Sequence, residues 1–258
     1  GSPSPQGPQP LLLPEAGMGP RLGEEQGLGP LRGRRTLWRD AALVAGKDLR
    51  VEARSRVGVN QVVPFALLVL VVFAFALDSD RGMLIAVGPG LFWVTVLFSG
   101  LLAIQRSFVI ESDDDARDAL RLSGLDGAGI FLGKAAAVAA QLVILEAVLT
   151  MGVVVLYGVQ LRGAVMLLVT CALATVGLAA AGTVYGIIAA GLRVRDTLLP
   201  LLVLPVLAPV LLAAARACEA ALAGTPAEGW PWVRLLAVFA TIYVTFGVVA
   251  FGPLLEEA

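Results

Sequence analysis

Apolar positions along the chain gather into six long runs, near residues 57–77, 83–104, 135–157, 164–190, 197–215 and 233–253. Crossing ~30 Å of hydrocarbon takes about 20 apolar residues, so each run is read as a transmembrane helix. Ahead of the first run, Thr36 to Arg56 repeats with a helical period. Trp38, Ala41, Ala42, Ala45, Leu49 and Ala53 share one side, and Arg39, Lys47, Arg50 and Arg54 stand opposite. That pattern predicts a basic amphipathic helix able to lie on a membrane surface. Residues 1–35 precede it, and the first 30 positions hold seven Pro and seven Gly, a composition that cannot bury enough to offset ordering and predicts a disordered tail. Residues 36–258 then form one six-span membrane domain. Its connections at 78–82 and 158–163 are short. Segment 216–232 is longer and carries Trp230 and Trp232 at the depth of an interfacial aromatic belt, while 105–134 is the one large polar loop.

Composition agrees with this reading: 58% hydrophobic and 15% charged residues put more apolar surface on the chain than a water-soluble core of this size can bury. The net charge of −1 gives no reason to expect nucleic acid, but it hides a strong segregation. With the N-terminus inside, residues 31–56 supply eight Lys or Arg, loop 105–134 four and turn 191–196 two, so 14 lie inside against Arg81, Arg162, Arg216 and Arg234 outside. The positive-inside rule therefore places both termini in the cytoplasm.

Candidate chemistry is sparse. The chain has no histidine, which removes the commonest general base, metal ligand and axial haem ligand. Two cysteines, Cys171 in an apolar run and Cys218 in a connecting segment, build neither a disulfide framework nor a Cys-rich metal site. Gly133-Lys134 resembles the end of a phosphate-binding loop, but Ala128 and Ala135 stand where that motif needs Gly and a hydroxyl. This chain is therefore not expected to bind ATP by itself, and Lys134 is expected at the membrane boundary. No Ser/Lys or paired-Asp arrangement inside the spans suggests a protease.

Three intramembrane features remain. Glu146 lies near the middle of the third span with Gln141 and Thr150 close in sequence; an ionisable group there either faces a partner or wet cavity, or is a hydrogen-bonded structural contact. Gly182 and Gly186 have the spacing that lets helix backbones approach. Pro200, Pro205 and Pro209 each delete a backbone donor from span five and predict a kinked or broken helix.

In loop 105–134, Ser112 can cap a short helix whose first turn is Asp113, Asp114 and Asp115, with Arg117 and Asp118 following, and Leu120 and Leu122 before Ser123-Gly124 ends it. Leu120 and Leu122 have no membrane to enter, so a groove on another protein is the expected destination. Asp113 to Leu122 is the candidate docking element on the cytoplasmic side.

Several segments together resemble CcmB, the haem exporter protein B family: Lys47-Asp48-Leu49-Arg50, Phe108 with the acidic run after it, Phe131-Leu132-Gly133-Lys134, and the proline-punctuated stretch from Leu192 to Pro209. The likeness runs from about Trp38 to the C-terminus. It implies an all-α membrane permease of ABC-2-like architecture, with an N-terminal interfacial helix and a cytoplasmic coupling helix, in a bacterial inner membrane. It also implies a CcmA-like ATPase partner, CcmC-like and CcmD-like membrane subunits and a CcmE-like haem chaperone. Haem is then a handled substrate and not a tightly bound cofactor of this subunit. The chain departs from the family pattern in the loop helix, with Asp115 and Arg117 where Gly and Leu are expected before Asp118. Two other readings fit the same spans: an unrelated ABC-2 exporter permease for a lipid, glycan or drug, and a membrane assembly scaffold that transports nothing.

Overall fold

The computed structural model describes Gly1 and residues 29–55, 62–76, 81–113, 125–157, 163–190 and 195–257. Those residues form seven α-helices: α1 (Gly29–Ser55), α2 (Val63–Ala76), α3 (Arg81–Asp113), α4 (Gly127–Tyr157), α5 (Ala164–Ala190), α6 (Arg195–Ala223) and α7 (Pro226–Glu257). Five carry stretches long and apolar enough to cross a bilayer, Ala86–Arg106, Gly127–Leu156, Ala164–Ala189, Leu199–Ala223 and Pro226–Leu254. Only α2 stands in for the expected span at 57–77. Its 14 residues reach about 21 Å at 1.5 Å per residue, short of the ~30 Å core, and residues 56–61 lie outside the described residues.

Helix α5 is the hub, packing against α3, α4, α6 and α7. Its small residues make that possible. Ala179, Ala180, Ala181 and Thr183 are essentially inaccessible, and a Cβ at Gly182 would run into the Ile104 side chain of α3. The Gly182 notch is thus a helix-packing device, as small residues at membrane interfaces usually are. Helix α2 leans on α4, where Ala66 and Leu70 are buried. Outward faces are apolar: Phe75, Val155, Val165, Leu168 and Val249 are all exposed, an arrangement stable only with lipid as the solvent.

Several boundaries differ from the expected ones, each for a physical reason. Helix α1 starts at Gly29, before the expected Thr36, and Pro30 sits in its first turn, where the missing N–H costs nothing. Helix α3 continues through Ser112 to Asp113, so Ser112 does not cap a new helix; at the end of its apolar stretch α3 is held by the Arg106–Glu52 ion pair at 3.3 Å. Helix α4 begins at Gly127, eight residues before the expected 135, because Asp126 Oδ1 accepts the Ala128 N–H at 3.2 Å as an N-cap and Ile130 and Phe131 are buried in the core.

The expected loop 216–232 shrinks to Gly224–Thr225 between two helices. Gly224 has φ +78° and the Thr225 N–H reaches back to the Ala220 carbonyl at 3.0 Å, which closes α6 with a Schellman turn. Thr225-Pro226-Ala227-Glu228 then has the residues of a capping box with Pro at the first helical position. Cys218 consequently lies inside α6, buried, and not in a connection. Helix α6 is also unbroken despite Pro200, Pro205 and Pro209. Pro205 and Pro209 lie on its exposed face, while Val203, Leu207 and Val210 point into the core, so the proline rings do not interrupt the packed side.

Candidate functional site

Two polar constellations stand out from the apolar bundle. The first is midway through it. Glu146 of α4 is 5% exposed and accepts a hydrogen bond from the Thr175 hydroxyl of α5, itself buried. One helical turn before Thr175 lies the half-buried Cys171. Trp93 of α3 donates its indole N–H to the Cys218 sulfur of α6 at 3.4 Å. The Glu146–Thr175 contact joins α4 to α5, and the Trp93–Cys218 contact joins α3 to α6. Glu146 thus has a hydrogen-bonded contact within the bundle. Gln141 does not join it: five residues earlier on α4, it faces a separate cleft beside α1 and α3. Among the described residues no group of three His, Cys, Asp or Glu is placed to hold a metal ion.

The second constellation is the seam between α1 and α4. A Cβ at Gly133 would lie 2.6 Å from the Val44 Cβ and 2.7 Å from the Ala41 carbonyl oxygen, and one at Gly129 would lie 2.9 Å from the Asp40 Cβ. Only glycine permits so close a backbone approach. The seam is also ionic. Lys134 is 2% exposed and its Nζ lies 3.6 Å from Asp48 Oδ2, while Lys47 contacts the other oxygen at 3.4 Å. Glu52, one turn on from Asp48, pairs with Arg106 of α3, and Asp40 accepts the Asp126 N–H at 3.5 Å. Lys134 is thus a buried cation paired with an acid on α1, as an unpaired buried charge would be strongly unfavourable.

These contacts resolve α1 into three faces. Ala41, Val44 and Asp48 meet α4; Trp38, 67% exposed, and Ala42 form an exposed apolar side; Arg39, Lys47, Arg50 and Arg54 are the exposed basic side. Sequence reasoning saw the apolar and basic sides and missed the acids. The available signal was Asp48 and Glu52 one turn apart inside an otherwise basic helix.

Of the coupling residues, Asp113 is the last residue of α3, and Asp114, Asp115, Arg117, Asp118, Leu120 and Leu122 lie outside the described residues. Their C-terminal root is described. Asp126 is tied to α1, and a Cβ at Gly127 would sit 2.6 Å from the Gly252 Cα of α7. Four residues on, Phe131 packs against Phe251 with ring centroids 5.6 Å apart. The segment thus feeds into a rigid junction of α1, α4 and α7.

A bundle of apolar helices, five of them long enough to cross a bilayer, in which Glu146 is the one buried carboxylate among the described residues, defines the chain as a multi-pass membrane protein. The family model described as CcmB protein matches residues 40–256, and the chain belongs to that family. It is similar to heme exporter protein B of Bradyrhizobium diazoefficiens, 29% identical over 194 residues that cover 74% of this chain and 86% of the relative. Heme exporter protein B of Pseudomonas aeruginosa is 27% identical, covering 81% and 94%, and that of Paracoccus denitrificans is 28% identical, covering 80% and 93%.

Proposed function

We propose that the chain is the membrane permease subunit of an ABC-type complex that handles haem for cytochrome c maturation in a bacterial inner membrane. Membership of the CcmB family over residues 40–256 carries the reading. In it, the polypeptide crosses the membrane six times, α2 with the residues before it being the first crossing, and both termini are cytoplasmic. A separate CcmA-like subunit hydrolyses ATP, CcmC-like and CcmD-like subunits complete the membrane assembly, and a CcmE-like chaperone takes the haem.

A subunit without a nucleotide site responds to ATP only through contacts that differ between the ATPase's two states. Segment 113–122 is the coupling element in this reading, and its support is the junction it leads into. A push on that segment is delivered at Asp126–Gly127 to α1, α4 and α7 together, through glycine contacts and ion pairs that leave little slack. Helix α1 lies in the cytoplasmic membrane interface, its Trp38 side toward lipid and its arginines toward headgroups and water. Haem ligation resides in partner subunits in this reading, since the chain lacks the usual axial ligand, histidine, and offers only a few alternatives such as Met151, Tyr185 or Cys171.

The test is the double substitution Leu120→Asp and Leu122→Asp in the chain expressed with its neighbours. The variant is expected to insert normally, to lose the co-purifying ATPase and to abolish holocytochrome c. Retained ATPase and full maturation would show that coupling lies elsewhere.

A further inference from the structure

Beside the α1–α4 seam, a cleft of about 430 Å³ opens between the end of α1, the start of α2, and the facing sides of α3 and α4. Its volume falls within the range of small-molecule sites. One end carries the Arg106–Glu52 pair, where the apolar stretch of α3 stops. The rest runs along aliphatic side chains, among them Val63, Leu102, Leu142, Ile144 and Leu145, with Gln141 and Ser99 as the further polar groups. Leu102 and Ile144 are exposed on the lipid-facing surface, so the cleft is entered sideways from the bilayer.

We propose that this cleft binds one anionic phospholipid, its phosphate on Arg106 and one acyl chain laid along Leu102, Ile144 and Leu145. Arg106 is at the right depth, since it ends the membrane-crossing stretch where headgroup phosphates lie. A guanidinium has five donors in a planar fork, and Arg106 gives one Nη to Glu52 among the described residues, leaving an edge able to engage phosphate. Arg50 and Arg54, exposed on the neighbouring basic face of α1 and outside the cleft lining, add positive potential on this side of the bundle, and such residues favour anionic lipid. The lining decides between an acyl chain and a flat macrocycle. Among the described residues it contains no aromatic ring to stack on and no His, Met, Cys or Tyr to ligate iron. Linear aliphatic walls with one cationic end match a lipid and do not match haem. The lipid so held bridges α1, α3 and α4, and acts as a structural part of the seam.

Native mass spectrometry of the full chain, delipidated in mild detergent and titrated with phosphatidylglycerol or phosphatidylethanolamine, tests this. The wild type is expected to retain one phosphatidylglycerol in preference to phosphatidylethanolamine. Arg106→Ala should weaken that adduct about tenfold, the loss of one charge-assisted contact, while Arg106→Lys keeps most of it. Ala103→Trp fills the cleft without touching the charge and should abolish retention, and Arg216→Ala, at the other end of the bundle, should change nothing. Circular dichroism verifies that each variant is folded; if Ala103→Trp is not, the Arg106 pair decides. Equal retention by wild type and Arg106→Ala, no preference between the two lipids, or displacement of the lipid by hemin would each overturn the proposal.

Discussion

Replacing Gly133 by alanine adds one methyl group at the tightest point of the α1–α4 seam. That carbon would sit 2.6 Å from the Val44 Cβ and 2.7 Å from the Ala41 carbonyl oxygen, against about 3.5–4.0 Å for favourable carbon contacts. Neither neighbour can rotate away, because one is a Cβ and the other is backbone. Helix α1 must therefore retreat by about 1 Å. The same retreat lengthens the Lys134–Asp48 contact, now 3.6 Å, and weakens the partner of a buried ammonium. Overpacking of this kind costs about 1–3 kcal/mol. At about 2–4 °C per kcal/mol for a chain of this size, the detergent-solubilised protein should melt roughly 2–12 °C lower. Trypsin should also cut faster at the exposed Arg39, Arg50 and Arg54 of α1. Gly46→Ala is the matched control: it is on the same helix with nothing within 4 Å of its added Cβ. There the change should be neutral or stabilising by about 0.5–1 kcal/mol, as for glycine in an open helix. A Gly133→Ala protein with wild-type melting and unchanged proteolysis would refute the rigid seam.

At the bundle centre, Glu146→Leu removes the acceptor of the buried Thr175 hydroxyl and should destabilise by about 1–3 kcal/mol; Glu146→Gln keeps an acceptor and should lose clearly less, as read by thermal unfolding in detergent. Loss of maturation by Glu146→Gln at full stability would instead give the carboxylate a functional role. For topology, a cysteine at position 34 in a chain cleared of Cys171 and Cys218 should react with an impermeant maleimide only after the cells are opened; labelling from outside intact cells would reverse the orientation.

Much of the architecture can be read from the hydrophobic runs, because lipid imposes a length and a composition that survive any detail of packing. Run 164–190 coincides with α5 and four others lie within longer helices, whereas 57–77 meets only the short α2. Helix ends are less legible. They depend on caps and contacts made by few atoms, such as the Asp126 cap that starts α4 and the Gly224 turn that joins α6 to α7. The Thr225-Pro226-Ala227-Glu228 signal was available locally but is outweighed by the Pro, Gly and Trp around it, which suggest a loop. For the same reason Ser112 suggests a helix start although α3 runs through it.

The seam is the least legible feature of all. Lys134 at the head of an apolar run looks like a boundary residue, and nothing local reveals that Asp48, 86 residues earlier, lies across from it. Asp40, Asp48 and Glu52 are hidden in a helix that reads as apolar on one side and basic on the other. Glu146 was legible as an exceptional residue, since an acid in a span is always so, but its partner Thr175 on another helix was not.

The most direct measurement of the central claim is to delete this chain from its own host and follow haem-stained c-type cytochromes, with a wild-type copy restored as the control. If the chain is the permease subunit of haem handling, covalently haem-bearing cytochrome c disappears while apocytochrome is still made and exported, and haem accumulates unreleased upstream of the apocytochrome. Normal levels of holocytochrome c in the deletion strain would contradict the account.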